Sequence, residues 1–302
     1  MSPPTPAGAW PTATTRVAAV IGRPVAHSLS PVLHNAAFAA LGLDWAYLAF
    51  EVAPGEAGVA VAGARALGID GLSVTMPHKE AVVPALDRLS ATAERLGAVN
   101  TVVRVGSSLV GESTDGQGFL DALRDDQGFD PAGRRCLVLG AGGAARAVAL
   151  ALAGAGAAEV VVVGRSPERV ATAAAVAGPV ARPGVGEEAS SADLVVNATP
   201  IGMAGHPAGP PVDPALLSRG QVVIDLVYHP AVTPLLAAAR ERGAVAAGGL
   251  GMLVHQAAHA FRLWTGQHPP LEAMSAAVLK ALAPAGAGRG AGSAGGGAPL
   301  TP

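Results

Sequence analysis

The chain of 302 residues holds one cysteine, so no internal disulfide can form. Cys136 stands among apolar residues of strand character, and packing is its expected role. Charge is scarce too: 14% of residues are charged and the formal net charge is −2. That balance argues against a nucleic-acid binder held by basic patches. No apolar run reaches membrane-spanning length. Met1–Thr15 has neither a basic start nor a continuous apolar core, so it does not read as a signal peptide. The expectation is a soluble, cytoplasmic chain with no resident metal. The most telling scarcity is lysine. Of 20 basic residues only Lys79 and Lys280 are lysine. Arginine stays charged in a protein, whereas lysine can give up a proton. Lys280 lies in a helical stretch where a solvated face explains it. Lys79 follows His78 in a short Met-Pro-His-Lys loop and is the lysine to suspect of chemistry.

What the chain has in quantity is apolar residues, half of the total, and glycine. Its length suggests two domains, each with a sizeable core. An apolar run, Arg135-Cys-Leu-Val-Leu139, meets a glycine cluster and then an alanine-rich helical segment. Gly140, Gly142 and Ala145 fit the G-x-G-x-x-G/A spacing of a dinucleotide site. The first glycine permits a tight turn, the second admits a pyrophosphate, and the small third residue lets helix and strand pack closely. Further strands are expected at Val160–Val163, Leu194–Asn197, Val222–Leu226 and Ala244–Ala247, with a weaker one near Pro179–Ala181. Together they make a doubly wound sheet.

Upstream, strands at Val17–Ile21, Trp45–Val52 and Leu72–Thr75 alternate with helices, which suggests a parallel sheet. Helices are expected over Ser30–Leu41, Pro54–Leu67 and Asp87–Gly97, with a hairpin around Gly106-Ser107. Ligands of such sheets gather at the carboxyl ends of strands, where Ser28, Thr75 and Lys79 fall. Ser30 followed by Pro31 also reads as a plain helix cap; Ser28 has no such structural duty. Asp115 could cap the short helix that follows it. Leu250–Thr265 and Leu271–Leu282 are helical, and Gln256 there reads first as a core amide. Residues 1–15 and 285–302 are expected to be disordered. Glycines near Gly116–Gly118 and Gly248–Gly251 are hinge candidates.

The second strand of the nucleotide half decides the cofactor. An NAD-type site places a carboxylate at that strand's carboxyl end. Here Glu159 opens the strand, and its far end is Gly164-Arg165-Ser166-Pro167-Glu168-Arg169. Ser166 caps a helix, and Arg165 and Arg169 flank its start. Two guanidinium groups with helix N–H donors suit a 2′-phosphate, so NADP is favoured.

Assembled, these residues resemble the shikimate dehydrogenase family over nearly all of residues 17–283. The matching segments are Gly22-Arg-Pro-Val-Ala-His-Ser-Leu-Ser-Pro31, Ser73-Val-Thr-Met-Pro-His-Lys79, Ala98-Val-Asn-Thr101, Ser113-Thr-Asp-Gly116, Asn197-Ala-Thr-Pro-Ile-Gly202 and Gly249-Leu-Gly-Met-Leu-Val-His-Gln256. The resemblance implies an α/β chain: a substrate domain at 16–117, a Rossmann-type NADP domain at 118–249, and helices at 250–284 that return to the first domain. It implies reduction of 3-dehydroshikimate to shikimate by NADPH, with Lys79 and Asp115 catalytic. Ser28, Ser30, Thr75, Asn100, Tyr228 and Gln256 would bind substrate. Gly140, Ala141, Gly142, Gly143, Ala144, Arg165, Ser166, Arg169, Asn197, Ala198, Thr199, Leu226 and Gly249 would bind cofactor. A homodimer is compatible with this reading. Ser73 and Ser113 stand where many members have asparagine, and Gly164 replaces another asparagine beside the adenosine phosphate. A quinate or aminoshikimate dehydrogenase and a non-catalytic NADP-binding module are the competing readings.

Overall fold

The computed structural model describes residues 11–283. Residues 1–10 and 285–302, most of the expected disordered tails, lie outside that range. Residues 11–15 fold into a turn, with the Thr14 and Thr15 hydroxyls donating to the Asp44 carboxylate at 3.1 and 2.6 Å. Among the described residues no helix is long and apolar enough to cross a membrane.

The first half comprises β1 (Arg16–Gly22), α1 (Ser30–Ala40), β2 (Trp45–Glu51), α2 (Ala57–Ala66), β3 (Gly71–Val74), β4 (Arg88–Leu89), α3 (Ala91–Leu96), β5 (Thr101–Val105) and β6 (Ser108–Glu112). The strands form one sheet in the order β2-β1-β3-β5-β6-β4. β1 runs parallel to β2 and β3, but β5 is antiparallel to both β3 and β6. The three strands expected to run parallel do so, and the antiparallel hairpin beside them makes the whole sheet mixed. A tight return at Gly106, with φ +62°, joins β5 to β6, and only antiparallel neighbours can be joined without a crossover. The helix expected from Asp87 begins later. Asp87 accepts the Leu109 N–H at 2.6 Å and pairs with Arg65 at 2.9 Å, and Ser90 caps α3 through the Ala93 N–H.

The second half contains α4 (Asp115–Asp125), β7 (Arg135–Leu139), α5 (Gly143–Gly154), β8 (Glu159–Val163), α6 (Pro167–Ala177), β9 (Ala181–Pro183), β10 (Leu194–Asn197), β11 (Val222–Asp225), α7 (Pro234–Glu241) and β12 (Val245–Gly248). Its sheet is parallel throughout, in the doubly wound order β12-β11-β10-β7-β8-β9. Strand order reverses between β7 and β10, where such sheets bind ligands. Cys136 is buried in β7, and burial pushes its thiol up to about 12, in keeping with a packing role.

The last helices, α8 (Leu250–Thr265) and α9 (Leu271–Leu282), leave the second sheet. Val254, Phe261 and Trp264 of α8 and Met274 of α9 share a core with Val20 of β1, Leu33 and Phe38 of α1 and Tyr47 of β2. Each such fully buried apolar side chain contributes about 1.5–3 kcal/mol. Trp264 Nε1 also donates to the Val102 carbonyl at 3.0 Å. α4 packs against both α5 and α8, so the expected division between residues 117 and 118 falls inside one helix shared by the two halves. The hinge candidates around it hold close contacts. A Cβ at Gly118 would lie 2.4 Å from the Gln256 nitrogen, and one at Gly116 would lie 2.8 Å from the Ala147 carbonyl oxygen.

Candidate active site

The carboxyl edge of the first sheet presents the loop after β3. Its backbone is pinned from both sides: the Val99 N–H donates to the Lys79 carbonyl at 2.8 Å, and His78 Nε2 bonds the Val52 carbonyl at 2.8 Å. Lys79 is thereby aimed at α4, and its Nζ lies 2.5 Å from Asp115 Oδ2. Asp115 caps nothing. It occupies the first turn of α4, where the helix dipole favours an anion.

Asn100 organises the other side of this pair. Its Oδ1 accepts the Thr114 N–H at 2.8 Å and the Thr101 hydroxyl at 3.2 Å, which fixes the orientation of the amide. Nδ2 then reaches Asp115 Oδ1 at 2.7 Å and lies 3.5 Å from Gln256 Oε1. Gln256 comes from α8, whose close approach to α4 needs the bare backbone of Gly118. Four residues far apart in sequence thus converge: Lys79, Asn100, Asp115 and Gln256.

Ser28, Ser30 and Thr75 lie along the same sheet edge without bonding to that group. The roles of the two serines differ from expectation. Leu29 occupies the cap position of α1 with no side-chain cap, whereas the Ser28 hydroxyl accepts the Ser30 N–H at 3.3 Å. Ser30 instead turns inward and is buried. Tyr228 follows β11 and is half-buried, with no hydrogen bond to its phenol among the described residues; burial raises its pKa.

The glycine loop stands at the switch point of the second sheet. Gly140 has φ +120°, and a Cβ there would fall 2.8 Å from the Ala198 carbonyl oxygen, so only glycine fits. Gly142 precedes α5 with no side-chain cap, which leaves the opening N–H groups through Ala144 for an anion. At the tip of β8, Ser166 caps α6 by accepting the Arg169 N–H at 3.4 Å. Arg165 and Arg169 are exposed and form no ion pair among the described residues. Glu159 sits at the opposite end of that strand, held by Arg135 at 2.8 Å and Arg182 at 2.6 Å. An open glycine cradle and two uncommitted guanidinium groups fit a dinucleotide carrying a 2′-phosphate.

Asn197 does not present its side chain to this cradle. It is fully buried: Nδ2 bonds Asp225 at 2.8 Å, and Oδ1 accepts the Thr199 N–H and hydroxyl at 3.0 and 2.6 Å. Its expected cofactor contact reduces to shaping the Ala198–Thr199 turn. Asp225 is equally buried, with its pKa raised by desolvation and opposed by bonds from Thr233, Val227 and Asn197. Leu226 and Gly249 meet directly, since a Cβ at Gly249 would lie 2.1 Å from the Leu226 carbonyl oxygen. The two halves touch beside the Lys79–Asp115 pair: Lys79 Cδ is 3.6 Å from the position of a Cβ on Gly143.

The sequence pattern does not single out four further residues. Tyr47 donates to Ser73 at 2.7 Å, but its place in an apolar strand reads as core. The Arg146–Glu80 ion pair joins the two halves beside Lys79, and nothing in the local pattern couples those positions. Asp225, closing an apolar strand, was the one signal available for the buried network.

Comparison with known proteins follows the same division. Residues 20–102 match the model of the shikimate dehydrogenase substrate binding domain, and residues 249–279 match the shikimate 5′-dehydrogenase C-terminal domain. Residues 135–229 match a model described as NADP oxidoreductase, coenzyme F420-dependent. The shikimate dehydrogenase (NADP(+)) of Moorella thermoacetica is 47% identical over 290 residues, covering 93% of this chain and 98% of that protein. The crystal structure of shikimate 5-dehydrogenase from Thermus thermophilus in complex with NADP(H) and shikimate superposes with a TM-score of 0.82 at 42% identity, covering 88% of this chain and 100% of the other. Quinate dehydrogenase from Corynebacterium glutamicum in complex with NAD gives 0.80 at 33% identity, over 88% and 99%. By sequence identity and coverage, the chain belongs to the shikimate dehydrogenase family.

Proposed function

We propose that this chain catalyses the reversible NADPH-dependent reduction of 3-dehydroshikimate to shikimate, a step of aromatic amino-acid biosynthesis. The observation that carries this reading is the Lys79–Asp115–Asn100–Gln256 group, set against the glycine loop at Gly143. The first sheet with α8 and α9 holds the substrate, and the doubly wound sheet holds NADP.

Bound NADPH supplies the hydride that reduces the carbonyl carbon. Negative charge then builds on the carbonyl oxygen, and this is where Lys79 acts. Its ammonium stabilises that oxygen, and Asp115, 2.5 Å away, keeps the ammonium oriented. Together they hold the proton that must end on the new hydroxyl, and in the reverse direction they receive it. Asn100 donates to Asp115 and holds the pair in register with Gln256. Gln256 and Asn100 bind ring hydroxyls; Ser28, Ser30 and Thr75 bind the carboxylate end, and Tyr228 closes over the substrate. On the cofactor side, Arg165, Ser166 and Arg169 grip the adenosine phosphate. The N–H groups of Ala141 to Ala144 take the pyrophosphate, and Ala198, Thr199, Leu226 and Gly249 line the nicotinamide end.

The test is a steady-state assay of shikimate and quinate, each with NADP and with NAD. Shikimate with NADP should give the highest kcat/KM. A preference for quinate would move the assignment to the related dehydrogenase. Intact NADPH binding without hydride transfer to either substrate would make the chain a binding module.

A further inference from the structure

Tyr47 carries a hydroxyl where a core residue needs none. The side chain is 2% exposed, yet its Oη donates to Ser73 Oγ at 2.7 Å. The Ser30 hydroxyl stands against the same phenol, and with Ser73 it opposes the upward push that burial gives the tyrosine pKa. Both partners belong to the edge where the substrate elements gather. Ser30 opens α1, whose N-terminus has no side-chain cap and no acidic residue, and Ser73 lies two residues before Thr75.

The phenol is held more firmly than packing requires. The Asn35 side chain accepts the Tyr47 N–H at 2.8 Å and donates to its carbonyl at 3.0 Å, which clamps the backbone of an edge strand. The ring is stacked on His34 at 4.4 Å and meets Trp264 at 5.9 Å. His34 is itself fully buried with neither ring nitrogen partnered among the described residues. Burial lowers its pKa to about 3, so it is a neutral stacking plate. A hydroxyl fixed in this way has one direction to donate. Because Tyr47 donates to Ser73, the hydrogen of Ser73 is left for another acceptor, and none is present among the described residues. Hydroxyl chains polarise one another, and a donor at the end of such a chain is best matched to an anionic oxygen.

We propose that Tyr47 is a positioning residue for the substrate carboxylate: it locks the Ser73 hydroxyl as a donor, and with Ser30 and the open start of α1 builds the anion-holding end of the pocket. The inference rests on the shikimate reading above. It also accounts for a serine at position 73, because the tyrosine supplies the orientation that a longer amide carries by itself.

The experiment compares wild type, Tyr47→Phe, Ser73→Ala and the double variant, with shikimate and with shikimate methyl ester. Tyr47→Phe keeps the ring and its stacking. It should raise KM for shikimate about tenfold, the size of one lost hydrogen bond to a charged group, and leave KM for NADP unchanged. Ser73→Ala should do the same, and the double variant should be no worse than the worse single, since both break one chain. With the ester, where the charge is gone, the penalty of either variant should vanish. A wild-type KM in Tyr47→Phe, additive penalties, or an equal penalty on the ester would overturn the proposal. An NADP-induced rise in melting temperature reports folding, and if Tyr47→Phe fails to fold, Ser73→Ala with the two substrates decides the matter. Absence of shikimate turnover in wild type would instead sink the functional reading.

Discussion

On the function proposed above, a single ammonium concentrates the chemistry at the scale of one residue. Lys79 was conspicuous in the sequence because arginine fills nearly every other basic position, and the structure gives that scarcity a physical meaning. From 2.5 Å away the ammonium can turn its three donors between Asp115 and a developing oxyanion, whereas a guanidinium is planar and forked. Lys79→Met keeps length and removes charge. It should lower kcat by roughly 10²–10⁴-fold, because the contact it removes strengthens as the oxyanion forms. KM for shikimate should rise far less, since Asn100, Gln256 and the serines remain. Stopped-flow or steady-state kinetics would check this, and near-normal kcat would remove lysine from the mechanism. Other residues were less legible. Serines 28 and 30 were both visible as candidates, but neither side chain caps α1: the Ser28 hydroxyl accepts the Ser30 N–H, and Ser30 turns inward. Two hydroxyls with different surroundings share a letter, and only the path of the backbone separates them.

Elements were legible where local chemistry decides them and less so where distant partners do. The bounds of α8 and α9 and of the glycine-loop strand follow from apolar periodicity and glycine placement, and the structure reproduces them. The start of α3 departs from the local pattern because Asp87 is drawn to Arg65 and Leu109, far away in sequence. The start of α6 was plain from Ser166 and Pro167 and carries a prediction. Replacing Arg165 and Arg169 together by alanine should weaken NADPH by about 1.5–3 kcal/mol per lost phosphate contact while leaving NADH nearly unchanged. Fluorescence titration of both cofactors measures this, and equal losses would refute the 2′-phosphate assignment. At the other end of the same sheet, Arg135 and Arg182 clamp Glu159 and Glu188 at 2.5–2.8 Å. Arg182, above all, holds the Glu188 carboxyl at about 2, below its ordinary 4.5. A depressed carboxylate contributes stability above its unfolded pKa and loses it as pH falls through the folded one. The contribution is therefore present at neutral pH and lost between about 4.5 and about 2. Solvent screening of the partly exposed network limits it to about 1 kcal/mol. Glu188→Gln should flatten the acid limb of a denaturant-midpoint profile over that window, and an unchanged slope would assign no stability to the network.

On the proposed function the molecule works only if its halves are held in one relation, because the lysine belongs to one sheet and the glycine loop to the other. The sequence displayed two domains but not the seam between them, since its apolar residues resemble those of either core and its charged ones resemble surface arginines and glutamates. Besides the helix they share, the halves meet through a modest apolar patch. Leu96 and Ala98, in and just after α3, pack on Ala147, with Leu150 and Val176 at its margin. Two polar contacts flank it: Arg95 Nε donates to the Val176 carbonyl at 2.8 Å, and Arg146 pairs with Glu80, the neighbour of Lys79. Ala147 is 2% exposed, so a carboxylate there would be buried without a partner or would force the halves apart. Opening is the cheaper response, because each half retains its own core, whereas burying the lone charge costs several kcal/mol. Ala147→Glu should therefore lower kcat by roughly tenfold or more, since separation of about 1 Å at the reacting atoms is enough for a large loss. NADPH binding should persist, because the glycine loop and α6 lie within one half. Calorimetry should show two unfolding transitions in the variant against one in wild type, the cofactor half keeping a ligand-dependent midpoint. A variant with wild-type kcat and one sharp transition would show that α4 alone sets the relation of the halves and that the patch is incidental.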